Sequence, residues 1–287
     1  MQTALECIPC FVRQALEAAR FVTDDPALHE RLLREVLGTT ARMDMSHCPP
    51  VVACQIHRTL RDMTGVADPY SAIKDRFNRM ALDMLPELSA MIAESQDPFG
   101  LAVRLSIAGN VIDLGVDGGI TESIARQSIK NTLHEPFEGD TNELKQSIDA
   151  ADRILYLADN AGEIVFDRLL IEQMPTDRVT LVVRGGPILN DATIEDARSA
   201  GMCELVEVID NGSDAPGTVL EDCSEAFRKR FAQANLVISK GQGNFETLSD
   251  NQANISFMFK VKCPVIASHT GYAMGTHVLM SPSVVDH

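Results

Sequence analysis

The stretch Arg153–Asp167, with the sequence RILYLADNAGEIVFD, decides the fold. Its first part, ILYLA, is a short apolar run of the kind that forms a buried strand. Asp159 and Asn160 follow directly, and two small residues then leave room for a tight turn. The next residues, EIVFDRLLIEQM, have the spacing of apolar side chains found on a helix. The stretch therefore predicts a strand that turns at once into a helix, with two oxygen-bearing side chains at the turn.

The predicted turn has the features of a site for a cation beside an anion. In an open α/β sheet, ligands collect at the edge where the strands end. The unpaired N–H groups of a helix start favour an anion, and a carboxylate beside an amide favours a hard cation such as Mg²⁺ or Mn²⁺. A cation beside an anion indicates phosphate chemistry. The alternative is an ordinary turn in which Asp159 or Asn160 caps the helix.

Composition and charge exclude several classes of protein. The chain has 287 residues, of which 45% are hydrophobic and 23% charged, as in an ordinary globular protein. Its formal net charge of −16 argues against non-specific binding to nucleic acid or to anionic membranes. No run reaches the roughly 18 apolar residues of a membrane span, and the first residues lack the pattern of a secretory signal. We therefore expect a cytoplasmic protein with neither nucleic-acid nor membrane partners.

The pattern of apolar residues changes near residue 150. Before it, apolar residues have helical spacing, with breaks at Asp24–Pro26 and Ser46–Pro50, and Pro86 is expected to break or kink one helix. After it, helical segments alternate with five predicted strands, ILYLA, VTLVV, LVEVI, NLVIS and PVIAS. Such alternation predicts a mostly parallel sheet with helices on both faces. We expect a helical domain at residues 1–145 and an α/β domain at residues 146–287.

Polar residues follow four of these predicted strands. In chain order they are Asp159–Asn160, then Arg184–Pro187 with Asn190–Thr193, then Asp210–Asp214, then Lys240–Glu246. Because the carboxyl ends of parallel strands share one edge of the sheet, these residues should lie close together. That edge would then carry carboxylates, amides, a lysine, and glycines that allow close approach of the backbone.

Each of these turns also has a simpler interpretation. Asn190 or Asp191 could cap the helix that follows, and Asp210–Gly212 is a common turn sequence whatever its function. The two glycines of KGQGN resemble part of a dinucleotide-binding turn, but the third glycine is missing. The sequence contains neither GxxxxGK[ST] nor GxSxG, which argues against a P-loop and a hydrolase of the nucleophile-elbow type.

A second polar patch lies in the apolar segment LAVRLSIAGNVIDLG of the helical part. Asn110 and Asp113 are three residues apart, so they share one face of a helix. Polar side chains in such surroundings are costly unless they have a partner or a ligand. We therefore expect both residues to belong to the site.

The cysteines form a further motif. Cys7 and Cys10 have the C-x₂-C spacing of metal and redox sites, and with Cys48 or His47 they could make a structural metal site. The alternative is that they are small buried residues at a helix start. The chain has seven cysteines, an odd number, and in a reducing compartment we expect thiols or metal ligands before disulfides.

Several segments, in this order, resemble one family. They are GNVID, LADNAGEIVFD, RGGPILNDAT, SKGQGNFETL and KVKCPVIA. They are similar to the metal-dependent damage-control phosphatases, catalogued as domain of unknown function 89 and also called the protein-glutamate methyltransferase-like family. The N-terminal CxxC resembles the prokaryotic branch. The resemblance covers nearly the whole chain and implies a helical N-terminal part followed by a Rossmann-like α/β part.

The resemblance also implies a set of site residues. One divalent cation (Mn, Mg, Co or Ni) would be held by Asp159, Asn160 and Asp191, which are also the expected catalytic residues. Phosphate and substrate binding is implied for a second set, which comprises Lys240, Gly241, Gly243, Asn244, Asn110, Asp113 and Glu163. Within that set Glu163 belongs to the matched motif but has no defined role.

The implied reaction is hydrolysis of a small phosphorylated metabolite, such as a sugar phosphate or a damaged phosphometabolite. The attacking group would be water or a carboxylate, with Asp159 the first candidate for the latter. One alternative is an S-adenosylmethionine-dependent carboxyl methyltransferase, although the first strand-to-helix turn lacks the glycine-rich GxGxG. Another is a non-catalytic protein that binds a phosphometabolite. The sequence leaves open whether the protein forms a homo-oligomer.

Overall fold

The computed structural model describes residues 1–109, 126, 127, 129, 131 and 133–281. Up to residue 109 this chain is helical, with α1 (Cys7–Val22), α2 (Pro26–Thr40), α3 (Pro49–Thr64), α4 (Ser71–Glu94) and α5 (Pro98–Ala108). Asp25 caps α2 by accepting a hydrogen bond from Ala27 N, with Pro26 in the first position of the helix. Gly65 ends α3 with φ 69°, a left-handed conformation that glycine adopts at little cost. The predicted breaks between these helices are confirmed.

The helix that contains Pro86 does not end there. A break at Pro86 is wrong, because α4 continues to Glu94, and the alternative of a kink there stays a prediction. Its buried side chains include Phe77 and Met84 before the proline and Leu88 and Ile92 after it. Burial of this continuous apolar face compensates for the backbone hydrogen bond that proline cannot donate.

A seven-stranded sheet forms the second part of the fold. Its strands are β1 (Phe137–Glu138), β2 (Ile154–Leu157), β3 (Val179–Val183), β4 (Glu207–Asp210), β5 (Leu236–Lys240), β6 (Ile255–Lys260) and β7 (His277–Met280). Their order across the sheet is β1-β7-β6-β5-β2-β3-β4. All neighbouring strands are parallel except β6 and β7. The predicted α/β class, with a mostly parallel sheet flanked by helices, is confirmed.

Helices separate most of the strands along the chain. They are α6 (Thr141–Ala150), α7 (Glu163–Ile171), α8 (Ile194–Ser199), α9 (Glu225–Gln233), α10 (Gln242–Leu248) and α11 (Pro264–Thr270). The strand predicted at PVIAS is wrong, since those residues lie in α11. Pro264 occupies the first turn of that helix, a position where its fixed φ favours helix. The preceding run ISFMFK forms β6 instead.

The apolar core is continuous across the two parts of the chain. One cluster joins Phe77 and Leu105 of the N-terminal helices with Tyr156 and Phe166 of the α/β part. A second cluster covers the other face of the sheet and includes Phe227 and Phe245, and a third lies among α1, α2 and α3. A boundary between domains near residue 145 stays a prediction. No helix in the described part of the chain has the length and apolar character needed to cross a membrane.

Candidate functional site

The turns after β2 and β3 are joined by backbone hydrogen bonds. Ala161 N donates to Asn190 O and Ala192 N donates to Asp159 O, both at 2.8 Å. Asn160 and Asp191 thereby form an isolated antiparallel bridge beyond the ends of two parallel strands. The three residues predicted to hold a cation, Asp159, Asn160 and Asp191, are thus brought to one place at the carboxyl edge of the sheet.

The turn after β5 closes on the same place. Gly241 has φ +81°, and a Cβ built on it would lie 1.9 Å from Asp159 Oδ2. A side chain at this position would therefore collide with the carboxylate, in a backbone conformation that L residues rarely adopt. Gly241 is required here because the backbone of the KGQGN segment passes directly against Asp159.

The donor atoms at this edge suit a hard cation. Asp159, Asn160 and Asp191 are 8%, 5% and 4% exposed. Asn160 Nδ2 donates to Asp159 Oδ2 at 2.9 Å and to Glu163 Oε2 at 3.2 Å, so the amide lies directly against these acids. Two carboxylates and an amide oxygen are the donor types that Mg²⁺ or Mn²⁺ prefers.

The charge balance of the site also suits a cation. Burial, followed by the negative charges of Glu163 and Asp191, holds the pKa of Asp159 well above its ordinary value. The positive charges of Lys262 and Arg184 act in the opposite direction without compensating fully. Since a divalent cation would stabilise the ionised carboxylates, the residues present fit the metal that the sequence implied.

Arg184 organises one side of the site. Its Nε donates to Asp191 Oδ2 at 2.6 Å, and its Nη2 reaches Asn244 Oδ1 at 3.3 Å. Asn244 in turn donates through Nδ2 to Lys240 O at 2.8 Å and accepts from Thr218 Oγ1 at 2.7 Å. The Asn244 side chain therefore braces the turn after β5, while the predicted binding of phosphate by Gly241, Gly243 and Asn244 stays a prediction.

Lys240 is fully buried, and its ammonium group has three acceptors. Its Nζ donates to Glu163 Oε1 at 2.8 Å, to Asp167 Oδ1 at 2.5 Å and to Ser106 O at 3.0 Å. Burial acts to lower the pKa of Lys240, but the charges of Asp167 and Glu163 outweigh it and raise that pKa. Because a lysine has three N–H donors, a phosphate contact would replace one of these bonds. The predicted role of Lys240 in phosphate binding stays a prediction.

The acceptors of Lys240 belong to a buried polar network. Tyr156 Oη donates to Asp167 Oδ1 at 2.8 Å and Ser106 Oγ donates to the same oxygen at 2.7 Å. The pKa of Glu163 is raised, mainly by burial, although the charge of Lys240 opposes the shift. Asp167, Tyr156 and Ser106 were not predicted as site residues. One signal was present for Asp167, since it is a carboxylate four residues from Glu163 in an apolar helix.

Helix α4 of the N-terminal part supports the turn after β2. Gly162 N donates to Asn78 Oδ1 at 2.7 Å, and Asn78 Nδ2 donates to Asp196 Oδ1 at 2.8 Å. Asp196 also pairs with Lys74 at 2.9 Å. Asp196 and Thr193 form the capping box of α8. The alternative in which Asn190 or Asp191 caps that helix is therefore wrong, and both lie in the preceding loop.

The remaining predicted residues lie elsewhere. Asn110 and Asp113 are outside the described residues. Cys7 and Cys10 lie in the first turn of α1, and Cys48 is the residue before α3. All three are free thiols, and their binding of a metal stays a prediction.

Another group of ligand atoms lies where α3 meets the loop after β4. Cys54 Sγ and carboxylate oxygens of Asp214 and Asp222 lie within 4.8 Å of one another. Arg58 donates to both Asp214 and Asp222, and Arg61 donates to Asp214. Two arginines thus balance the two carboxylates of this group.

Comparison with known proteins places the chain in a family. Residues 3–278 match the model of the damage-control phosphatase ARMT1-like domain, and the chain belongs to that family. A damage-control phosphatase of Archaeoglobus fulgidus is 36% identical over 95% of this chain and 96% of its own. A damage-control phosphatase of Pyrococcus horikoshii is 33% identical over 98% of both chains. The crystal structure of a DUF89 family protein from P. horikoshii superposes with a TM-score of 0.86 at 31% identity, covering 98% of this chain and 99% of the other.

Proposed function

We propose that the protein is a metal-dependent phosphatase that hydrolyses small phosphomonoesters, such as sugar phosphates or damaged phosphometabolites. The family and the names of its relatives support the phosphatase role. The observation that carries the metal dependence is the meeting of Asp159, Asn160 and Asp191, all buried, where burial and two neighbouring carboxylates raise the pKa of Asp159. An anionic substrate would be repelled by this edge unless a cation lay between them.

In this proposal Asp159, Asn160 and Asp191 hold one divalent ion, of Mn, Mg, Co or Ni. When bound, such an ion polarises a phosphoryl oxygen and offsets the charge that develops during transfer. Arg184 fixes the position of Asp191 through its 2.6 Å hydrogen bond. The exposed Lys262, whose charge acts on Asp159, supplies positive charge near the cation on an otherwise acidic protein.

The reaction transfers the phosphoryl group from an alcohol to water. In a one-step reaction water attacks phosphorus, the ester P–O bond breaks, and the alcohol leaves with a proton from that water. In a two-step reaction Asp159 attacks first, the alcohol takes a proton from solvent, and water then cleaves the aspartyl phosphate to release phosphate. Because Gly241 has no side chain, the backbone of the turn lies directly against Asp159 and restricts the position of its carboxylate. Cytoplasmic location stays a prediction.

Phosphate release tests the proposal. Chelator-stripped protein would be assayed with a panel of sugar phosphates and an aryl phosphate, with Mg²⁺, Mn²⁺, Co²⁺ and Ni²⁺ added back singly. We expect activity that depends on the added metal and is lost in Asp159→Ala, while the variant keeps the circular dichroism spectrum of the wild type. Metal-independent turnover, or full turnover in folded Asp159→Ala, contradicts the assignment. Binding of a phosphorylated ligand without turnover under any metal would favour the non-catalytic alternative instead.

A further inference from the structure

Four cysteines from distant parts of the sequence lie near helix α10: the charge of its Glu246 acts on Cys7, Cys10 and Cys48, and its Gln242 donates to Cys263 Sγ. Cys7 and Cys10 are one turn apart at the start of α1, Cys48 precedes α3, and Cys263 precedes α11. All four are free thiols and half-buried. The sequence predicted the first three as possible ligands of a structural metal, and the structure adds Cys263 to this group.

Side chains of α10 connect these segments. Gln242 Nε2 donates to Cys263 Sγ at 3.6 Å and to Glu246 Oε1 at 2.8 Å. The amino group of Met1 donates to Glu246 O at 3.1 Å and pairs with Asp250 at 2.9 Å. The start of the chain, six residues before Cys7, is thereby docked on α10 beside Glu246 and Cys263.

The ionisable side chains of the cluster act on one another's charges. Burial is the main cause that raises the pKa of Cys7 and of Cys10, and the charges of Cys263 and Glu246 add to it in both cases. Burial also raises the pKa of Glu246 to about 7. The positive groups that face the cluster are Arg13, with Nη2 3.7 Å from Cys10 Sγ, and the amino group of Met1.

We propose that Cys7, Cys10 and Cys263, with Glu246 as the fourth ligand, form a second metal site that binds a soft or borderline divalent cation such as Zn²⁺. Thiolate ligands select such ions, whereas the oxygen ligands around Asp159 suit hard ones. This site does not depend on the proposed phosphatase activity. No three of these ligand atoms lie within 4.8 Å of one another among the residues described, so binding of an ion would require their side chains to move closer together.

The position of this site gives it a structural role. Gln242 Oε1 accepts from Lys262 N at 3.2 Å, and Gln242 directly follows Gly241, which lies against Asp159. An ion bound by Cys7, Cys10 and Cys263 would therefore fasten α1 to both segments that border the candidate active site. Removing the ion should lower the thermal stability of the whole chain as well as free the thiols.

Cobalt substitution distinguishes this site from the oxygen-ligated one. Co²⁺ bound by thiolates gives intense charge-transfer absorption, which carboxylate and amide ligands do not give. We expect this absorption in the reduced wild-type protein, in Asp191→Asn, and in Cys203→Ser, which changes an exposed cysteine elsewhere. We expect it to be lost in Cys263→Ser. Absence of the absorption in folded wild-type protein, or its full retention in Cys263→Ser, overturns the proposal.

A second measurement needs no variant, and so does not depend on whether Cys263→Ser folds. Wild-type protein would be loaded with Zn²⁺, alkylated, and mapped by mass spectrometry with and without prior chelation. Zinc should protect Cys7, Cys10 and Cys263 from alkylation, and chelation should remove that protection, while Cys203 reacts in both samples. Equal labelling of Cys263 in the two samples, or a disulfide between Cys7 and Cys10 in reduced zinc-loaded protein, overturns the proposal.

Discussion

Two clusters of acidic side chains lie beyond the carboxyl ends of the strands and differ in how their charge is balanced. The site cluster consists of Asp159, Glu163 and Asp191. The arginine cluster consists of Cys54, Asp214 and Asp222, with Arg58 and Arg61 as its cations. Among the described residues, three ligand atoms of His, Cys, Asp or Glu side chains lie within 4.8 Å of one another only in the arginine cluster.

The pKa values of one carboxyl group in each cluster, Asp159 and Asp214, shift in opposite directions. In the site cluster, burial and neighbouring negative charges raise the pKa of Asp159. In the arginine cluster burial also acts to raise the pKa of Asp214, but hydrogen bonds from Arg58 and the charge of Arg61 outweigh it and lower that pKa. Close ligand atoms therefore indicate a cation site only where the chain does not supply enough cations of its own.

The largest expected effect comes from removing one charge from each cluster. Asp191→Asn keeps an acceptor for Arg184 but removes a charged ligand, so we expect phosphate release to fall roughly a hundredfold or more. In the arginine cluster, Asp222→Asn should leave the activity within about twofold of the wild type. Steady-state kinetics at saturating metal measure both. Equal losses of activity in the two variants would contradict the proposal that the site cluster, and not the arginine cluster, holds the catalytic cation.

The next largest effect concerns the cations of the two regions. Lys240→Met leaves Glu163 and Asp167 buried without their ammonium partner, which should cost about 3–5 kcal/mol of unfolding free energy. Arg58 is 45% exposed, so in Arg58→Met water can solvate the remaining carboxylates and the cost should stay near 1 kcal/mol.

Urea denaturation of both variants at neutral pH measures these costs. A nearly unchanged midpoint for Lys240→Met, together with a large rise in KM, would show that Lys240 acts on phosphate rather than on the buried network.

Two glycines of the KGQGN segment test how tightly the site cluster is packed. A Cβ at Gly241 would lie 1.9 Å from Asp159 Oδ2, so Gly241→Ala should cost about 1–3 kcal/mol and most of the activity. A Cβ at Gly243 has its nearest neighbour at 3.5 Å, and this residue lies in α10. Gly243→Ala should therefore be neutral or stabilising by up to about 1 kcal/mol. Thermal melts and phosphate release would rank the pair. The reverse ranking would contradict the packing described.

The sheet and the turn residues could be predicted from the local sequence. Apolar runs followed by Asp159 or Lys240 mark where strands end, and the parallel topology then brings those ends together. The error at the last strands arose because two apolar runs, ISFMFK and PVIAS, stand close together. In the structure Pro264 starts a helix, so PVIAS is helical, and the buried run ISFMFK is the strand. The run ISFMFK was missed because it lacks the alternation of apolar and polar residues that identifies a half-buried strand.

The partners within the site could not be predicted in the same way. Contacts between distant parts of the fold determine the roles of Arg184, Asp167 and Ser106. One example is the hydrogen bond from Ser106 on α5 to Asp167 on α7. The resemblance implied that Lys240 binds phosphate, yet the direction of its side chain depends on Glu163 and Asp167, two acids of helix α7. Sequence places a residue at an edge of the sheet, whereas packing determines where its side chain points.

The smallest expected effect is a pH dependence in the arginine cluster. Because the pKa of Asp214 is lowered in the folded protein, its ion pairs stabilise above the pKa of the unfolded carboxyl, and that stability is lost as pH falls through the folded pKa. Asp214→Asn should cost about 1 kcal/mol or less at pH 7, and the difference should shrink as the pH falls below about 4, the ordinary pKa of a carboxyl group. Urea denaturation across this range measures it, with the exposed Asp62→Asn as control. A difference that persists in acid would assign the loss to packing rather than charge.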